Sequence, residues 1–412
     1  MKLLPSQEAD RLQLRIVYNP RNSRTAFNMN TEASRPRLPA LTSLRFFAAF
    51  HVLLFHVHAI AAPFGPWWFR KLSSIGYVGV SFFFVLSGFI LVYTYAEKPV
   101  RPREFWLARF ARVYPAYALA LLLTTPFFLF AVQHFNEIKV PFMAFQAAHV
   151  KLAAALEILL LQAWVPPAAL SWNPVGWSLS VEAFFYLLFP FLLLRYTRFL
   201  RRQLFAVIAI CWLASNLISF SYTVLRPDGL VNPDSNVYTS WMNVVKFLPV
   251  ARLPEFLMGM AAGFVFLRSP KSDRLALPLV GVGVIAVAVV AALSDKIPYA
   301  VIHTALLSPA FVAIIYGVAL RARWASLLES RLLVLCGEAS YSMYLIHSNI
   351  VFSVFHTEKG DLRNTNFGGL ALCLAIVLTI SMVIYKFVEE PARRKLRPKP
   401  KVQAAVQAAA SA

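Results

Sequence analysis

Long apolar runs recur along most of this chain and constrain its fold more than any other feature. Eleven runs are present, and most are long enough to cross a hydrocarbon layer of roughly 30 Å as a helix. They lie near residues 40–62, 76–96, 110–132, 151–165, 177–195, 203–221, 246–267, 276–293, 298–320, 332–355 and 367–388. Only 14% of the residues are charged and 59% are hydrophobic, whereas about a quarter are charged in soluble domains. The sequence therefore predicts an all-α, polytopic integral membrane protein.

Basic segments beside these runs predict the topology. Short cytoplasmic loops carry an excess of Lys and Arg, so we expect six segments on the cytoplasmic side. These are the N-terminal arm, the loops with Lys98, Arg101 and Arg103, with Arg195, Arg198, Arg201 and Arg202, with Arg268, Lys271 and Arg274, and with Arg321 and Arg323, and the tail with Arg393, Arg394 and Lys395. The run at 151–165 contains Glu157 and stops at Pro166, so we interpret it as an outward-facing interfacial or partly inserted helix. About ten transmembrane helices with both termini in the cytoplasm are predicted.

Composition divides the chain into three parts. Residues 1–37 form a polar, basic arm without the apolar region of a signal peptide, residues 38–390 hold the apolar runs, and residues 391–412 are basic and then of low complexity. The net charge is +21, and most of the basic residues lie in short loops between apolar runs. This pattern is typical of membrane topology, so we predict membrane lipids and no nucleic acid as partners. The basic arm could bind anionic lipid head groups.

The three cysteines give no sign of a metal site. Cys211, Cys336 and Cys373 all lie inside apolar runs, without the paired spacing that zinc ligands or a disulfide framework would show. We therefore interpret them as packing residues and predict that the protein binds no metal.

Polar residues inside the spans are where function is expected, because burying them in lipid is costly. Arg45 and His56 are eleven residues apart in the first run, which places them on one helical face with a rise of roughly 16 Å between them. The structural alternatives are a snorkelling anchor for Arg45 and a hydrogen-bonded packing residue for His56.

Two further runs contain carboxylates. Glu182 shares a helical face with Ser178 and Tyr186, and it must be protonated, paired or exposed to a wet cavity; an interhelical hydrogen bond is the structural alternative. Arg252 is predicted to line the cavity, although its i to i+3 spacing from Glu255 also permits a simple pair.

Two more groups complete the candidate site. Ser340, Tyr344 and His347 are spaced as a polar stripe along one helix, and such a stripe usually lines a cavity. Arg109 and Arg112 share a face one turn apart, so they are either interfacial topology residues or a clamp for an anionic group.

The predicted depths of these residues suggest a reaction. Arg45, Arg109 and Arg112 fall in the inner half of the membrane, whereas His56, Glu182 and His347 fall in its middle or outer half. This arrangement is expected of an enzyme that binds a phosphorylated carrier from the cytoplasm and performs acid–base chemistry within the membrane.

At these residues the sequence resembles the membrane-bound acyltransferase family 3, whose members O-acylate bacterial surface polysaccharides, lipid-linked sugars and some antibiotics. Seven segments carry the resemblance in order: LPALTSLRFFAAFHVLLFHV, VGVSFFFVLSGFIL, FWLARFARVYPAY, NPVGWSLSVEAFFYLLFP, RLPEFLMGM, GEASYSMYLIH and FVEEPARR. It extends over about residues 38–396. The resemblance implies an acyl-CoA donor, usually acetyl-CoA, a glycan or similar hydroxyl acceptor, no bound cofactor, and a place in the bacterial inner membrane.

The resemblance also implies roles for individual residues. His56 would be the catalytic base, with Arg45 as its essential partner. Glu182 matches the carboxylate of the WSLSVE element, and we infer that this catalytic residue orients or charges a histidine. The expected donor-binding residues are Arg109, Arg112 and Ser87. The remaining matches to the family motifs are Gly88 and Phe89, Ser340, Tyr341 and His347, and Glu390 and Pro391.

Two departures from the family pattern are evident. Members often have paired arginines where this chain has Ala108 and Arg109, so the clamp is expected to be weaker. The chain also ends soon after the last apolar run, so we expect no extracytoplasmic SGNH hydrolase-like domain, and the membrane domain or a separate partner would complete acyl transfer.

Two other hypotheses for the function compete with that of an O-acyltransferase. The first is a transporter or flippase for acyl groups or lipid-linked glycan, whose polar residues would line a path; such proteins commonly show two related halves, and none is evident. The second is an unrelated type of membrane-bound acyltransferase with its own histidine, which the ordered motifs disfavour.

Overall fold

The structure, a computed structural model, describes residues 35–138, 141–356 and 363–396, which form helices and no extended strand. The first half contains α1 (Pro39–Ile60), α2 (Trp67–Ser74), α3 (Val78–Tyr95), α4 (Pro102–Gln133), α5 (Phe135–Ile138), α6 (Ala144–Ala148), α7 (Val150–Ile158), α8 (Trp177–Tyr196) and α9 (Arg201–Leu225). The second half contains α10 (Ser240–Phe247), α11 (Pro249–Arg268), α12 (Ala276–Ala292), α13 (Tyr299–His303), α14 (Ser308–Ala319), α15 (Arg331–Glu338), α16 (Ser340–Phe355), α17 (Phe367–Ile384) and α18 (Glu390–Leu396). The predicted all-α architecture is confirmed.

All the described helices lie in one compact unit that begins at Leu38. Most of the predicted N-terminal arm and the C-terminal tail beyond Leu396 lie outside the described residues. The division of the chain into arm, membrane domain and tail therefore stays a prediction.

Eight helical segments within the described residues are long and apolar enough to cross a membrane. They are Pro39–Ile60, Val78–Tyr95, Pro102–Gln133, Trp177–Tyr196, Arg201–Leu225, Ser240–Arg268, Asp273–Ala292 and Phe367–Leu396. A ninth is obtained if Ala305–Ala319 and Arg323–Glu329, which meet at an angle of 97°, count as one span. The protein is thus a multi-pass integral membrane protein.

Two of the ten predicted spans are not single long helices. The run at 298–320 breaks at Thr304, where the backbone leaves the helical region with a ψ of −146°, and α14 has only 12 residues. The run at 332–355 breaks at Ala339, which leaves 16 residues in α16, fewer than the roughly 20 that a simple span needs. Apolar composition predicted both runs, but hydropathy does not detect a break in the backbone.

The run at 151–165 is no transmembrane helix, as expected. Its helix α7 has nine residues, and Glu157 near its end is completely buried. The Tyr117 hydroxyl donates to the Glu157 carboxylate over 3.1 Å. Burial raises the pKa of Glu157 well above its ordinary value, while the hydrogen bond from Tyr117 acts in the opposite sense. This contact joins the segment to α4.

Glycines bring α3 and α11 together at backbone distance. A Cβ atom at Gly259 would lie 2.0 Å from the Val85 carbonyl oxygen, and one at Gly88 would lie 2.3 Å from that of Phe256. No larger side chain fits without displacing a helix, so these small residues serve the packing of α3 against α11. Ser87, next to Gly88, then faces a cavity that is lined by α1, α3, α4, α8 and α16.

Candidate active site

A cavity of about 220 Å³ lies between α1, α3, α4, α8 and α16. Its polar lining consists of Thr42, Arg45, Ser87, Arg109, Arg112, Ser178, Glu182, Tyr186, Ser340, Tyr341 and Tyr344. Seven of the ten site residues predicted from the sequence are therefore neighbours: Arg45, Ser87, Arg109, Arg112, Glu182, Ser340 and Tyr344. The remaining three, His56, His347 and Arg252, do not line this cavity.

Three arginines give the cavity its charge. Arg109 donates to the Tyr95 hydroxyl over 3.3 Å, and its guanidinium lies 5.6–5.9 Å from the ring centres of Tyr95, Phe105 and Tyr186. Arg45 and Arg112 have no hydrogen-bond or ion-pair partner among residues 35–138, 141–356 and 363–396. Unpaired guanidinium groups in a partly buried cavity are suited to bind an anion with several oxygen acceptors.

Glu182 is the carboxylate of this cavity. It accepts a hydrogen bond from Ser87 Oγ over 3.1 Å and another from the Tyr186 hydroxyl. The sequence suggested that Glu182 orients or charges a histidine, whereas its contacts within the described chain are to a serine and a tyrosine. With three guanidiniums against one carboxylate, the cavity lining carries a formal charge of +2.

The two histidines form a pair. His56 Nδ1 lies 3.1 Å from His347 Nε2, and the rings meet edge to face with centres 4.7 Å apart. Backbone carbonyls hold both rings: His56 Nδ1 is 2.9 Å from the Val52 oxygen, and His347 Nδ1 is 2.6 Å from the Tyr344 oxygen. His347 is fully buried and His56 is partly exposed.

This pairing differs from the predicted polar stripe on α16. Ser340 and Tyr344 line the cavity as expected, but His347, one turn further along, faces His56 on α1 instead. Helical spacing places the three residues on one side of α16. The neighbours of that side differ along α16, because α1 packs against the part of α16 that carries His347.

Tyr344 connects the cavity to the histidine pair. Its hydroxyl accepts a hydrogen bond from Ser178 Oγ over 2.8 Å in the cavity lining, while its backbone carbonyl contacts His347. Along α1, His56 stands roughly 16 Å beyond Arg45.

Arg252 belongs to a separate, closed cluster. Its Nε lies 3.2 Å from Glu255 Oε2, and both side chains are 1% exposed. It also donates to the His303 carbonyl over 2.8 Å and to Ser81 Oγ over 2.9 Å. The sequence analysis placed Arg252 on the cavity wall, but the alternative of an Arg252–Glu255 pair describes the structure.

Glu389 was not among the site residues predicted from the sequence. This residue lies on a π-helical turn, Tyr385–Glu389, between α17 and α18, and its carboxylate accepts a hydrogen bond from Ser342. It is close enough to Arg45 and Arg112 to interact with their charges. Glu390, which matched the family motif, instead bonds to Arg394 on the exposed side over 2.6 Å. The sequence shows two consecutive glutamates at this point, but the π-helical turn determines which of them faces inward.

Among the residues that the structure describes, no group of three or more His, Cys, Asp or Glu side chains is arranged to hold a metal ion.

Comparisons with known proteins identify the family of this chain. The profile of a family described as "Acyltransferase domain" matches residues 38–386, most of the chain. The protein belongs to this family, acyltransferase family 3. Family membership and its relatives' names make it a membrane-embedded O-acyltransferase and give no support to the transporter alternative.

Three relatives illustrate the range of similarity to this acyltransferase. It is 27% identical to the acyltransferase MdmB of Streptomyces mycarofaciens, over 87% of this chain and 92% of that protein. It is 27% identical to the O-acetyltransferase OatA of Staphylococcus aureus, over 87% of this chain but only 57% of OatA. It is 41% identical over 80 residues to protein 2 in the picA locus of Rhizobium radiobacter, 18% of this chain and 40% of that protein. No solved structure matches the chain.

Proposed function

We propose that this O-acyltransferase moves an acyl group, most simply acetyl, from acyl-CoA to a hydroxyl of a glycan or glycan-like acceptor, with His56 as general base. The proposal is carried by a cavity with three arginines near one end of α1, two of which have no partner in the described part of the chain, and by the pairing of His56, further along α1, with His347 of α16.

The arginine cavity fits the anionic end of the donor. Coenzyme A carries several phosphate groups, and guanidiniums bind phosphate oxygens through paired, charge-assisted hydrogen bonds. Arg45, Arg109 and Arg112 supply such donors from two helices. The cavity lies toward the Pro39 end of α1, which the basic segments predict to be cytoplasmic. The donor would therefore enter from the cytoplasm.

The histidine pair fits the reacting end. With the phosphates at the arginines, the thioester arm extends along α1 toward His56. The His56 imidazole takes the proton of the acceptor hydroxyl while the hydroxyl oxygen attacks the thioester carbonyl. When the tetrahedral intermediate breaks its carbon–sulfur bond, the departing thiolate receives that proton. General base catalysis of this kind contributes typically about 10²–10⁴ in rate.

Transfer to oxygen is supported by one relative's name, since OatA is called an O-acetyltransferase. The glycan acceptor and the bacterial inner membrane rest on the family resemblance. Because the chain spans just over half of OatA, the acceptor of that protein is no guide to the acceptor used here.

Turnover of acetyl-CoA tests the proposal. Purified wild type, His56→Ala and Arg112→Ala are compared for acetyl-CoA binding and for acceptor-dependent thiol release with a panel of oligosaccharides. We expect His56→Ala to bind acetyl-CoA without releasing thiol, and Arg112→Ala to bind it weakly. His58→Ala, two residues along α1 on another face, is the matched control and should behave as wild type. Wild-type turnover by His56→Ala would refute the proposed base.

A further inference from the structure

His347 is buried deeper than the proposed base and does not itself line the arginine cavity. We propose that His347 is a positioning residue, which holds His56 in the tautomer whose Nε2 is free to take a proton. This inference rests on the proposed function, because it assigns His347 a task only if His56 is the base.

Two backbone carbonyls contact the histidine rings and indicate which ring nitrogens carry protons. A carbonyl oxygen only accepts hydrogen bonds. The Tyr344 oxygen, 2.6 Å from His347 Nδ1, therefore requires a proton on that nitrogen, and a neutral His347 ring then has a lone pair on Nε2. The Val52 oxygen, 2.9 Å from His56 Nδ1, favours a proton on that nitrogen, and His347 Nε2 is a second acceptor for the same proton.

The contact between the rings is consistent with this assignment. His347 Nε2, with its lone pair, lies 3.1 Å from the protonated His56 Nδ1. The proton on His56 Nδ1 is therefore shared between the Val52 carbonyl and His347. A neutral His56 with its proton on Nδ1 has an unprotonated Nε2, as a general base requires. In the opposite tautomer, His56 Nδ1 would present a lone pair to both the Val52 oxygen and His347 Nε2.

The pair also suits the charge that develops during the reaction. Once His56 has accepted the acceptor's proton, both of its ring nitrogens carry protons and the ring is positive. Its Nδ1–H then makes a charge-assisted hydrogen bond to a neutral acceptor, which is stronger than the bond in the resting state. His347 cannot share this charge favourably, because it is completely buried beside the new cation.

Tyr344 makes this arrangement sensitive to the cavity. Its ring lines the cavity and its carbonyl fixes His347. A donor bound among the arginines thus lies against the residue whose backbone orients the positioning histidine.

Two substitutions at His347 separate positioning from packing. His347→Gln keeps an oxygen that can accept from His56 Nδ1, whereas His347→Leu fills a similar volume with no acceptor. We expect His347→Leu to lower kcat about 10–100-fold, as loss of an orienting partner does at other sites, while the KM for acetyl-CoA changes less than about twofold because the arginine cavity is intact. His347→Gln should restore most of the lost kcat.

A spectroscopic signature accompanies the kinetics. In ¹⁵N-histidine-labelled protein, wild type and His347→Gln should show His56 protonated at Nδ1, and His347→Leu should show a mixture of tautomers. His51→Leu is the control, because His51 is also on α1 and bonds to a backbone carbonyl, that of Leu72, but does not contact the pair. It should leave the His56 signals and kcat unchanged.

The outcomes distinguish this inference from the proposed function. Unchanged kcat and unchanged His56 tautomer in His347→Leu overturn the positioning role, as does a His347→Gln protein that binds acetyl-CoA but is as slow as His347→Leu. If His347→Leu fails to fold, the His347→Gln spectrum decides, and protonation of His56 at Nε2 overturns the role. Turnover by His56→Ala would refute the base itself, while the tautomer spectra would still test the pairing.

Discussion

Arg252 and Arg112 both lie on apolar helices of the same bundle, and each has a glutamate nearby, yet their surroundings are opposite. Arg252 has an ion pair with Glu255 and hydrogen bonds to Ser81 and the His303 carbonyl. Arg112 lines a cavity without a partner among the described residues, and the nearby Glu182 is bonded to Ser87 and Tyr186 instead.

The difference shows how to separate structural from functional charges in a membrane domain. A buried cation whose charge is paired inside the protein is less available to a ligand, whereas an unpaired one beside a cavity has its donors free. Burial of a charge inside a membrane is costly in both cases. In the first case the protein offsets this cost within itself, and in the second we infer that the substrate contributes to the offset.

The largest expected effect comes from breaking the closed cluster. Glu255→Leu leaves Arg252 buried without its carboxylate and should lower the free energy of unfolding by about 3–5 kcal/mol. Thermal unfolding of the purified protein in one detergent measures the change. The double variant Arg252→Met/Glu255→Leu removes both charges and should be more stable than Glu255→Leu alone. Equal stability of the single variant and wild type would contradict the assignment of this cluster as structural.

Substitution of Arg112 should have the opposite result, with weaker substrate binding and no loss of stability. Arg112→Gln takes away a charged donor that makes no hydrogen bond or ion pair within the described residues, so acetyl-CoA affinity should fall about ten- to hundredfold, corresponding to roughly 1.5–3 kcal/mol for hydrogen bonds to charged groups. The unfolding temperature should not fall. Isothermal titration with acetyl-CoA and thermal unfolding on the same preparation check both. A marked loss of stability with unchanged affinity would place Arg112 in the structural class.

Arg109 shares features with both Arg112 and Arg252, and its substitution should have the smallest effect on acetyl-CoA affinity. It lines the cavity but also bonds to Tyr95 and contacts three aromatic rings. Arg109→Lys keeps the charge and loses the planar contacts, so acetyl-CoA affinity should fall only about two- to fivefold, in line with roughly 0.5–1 kcal/mol for a cation–π contact. Tyr95→Phe, which removes only the hydroxyl, should cost less. A loss as large as that of Arg112→Gln would show that the guanidinium itself binds the donor.

Local helical geometry explains which site residues could be predicted. Arg45 and His56 lie on one helix, α1, so their shared face and separation follow from the sequence. Arg109 and Arg112 on α4 follow in the same way. The run at 332–355 was predicted as one helix, and it breaks at Ala339, where Gly337 approaches the Thr42 carbonyl so closely that a Cβ would lie 2.0 Å away. Such an approach depends on a neighbouring helix and leaves no periodic pattern.

The sequence by itself determined the helical membrane architecture, because roughly 20 apolar residues in a row have few stable alternatives to a helix in lipid. It also determined which polar residues share a face within each helix. Only the tertiary structure decided that His347 meets His56, that Arg252 is paired away from the cavity, and that Glu389 rather than Glu390 faces inward. Spacing along a helix fixes the direction of a side chain but not the neighbour that it meets, since that depends on contacts between residues far apart in the chain.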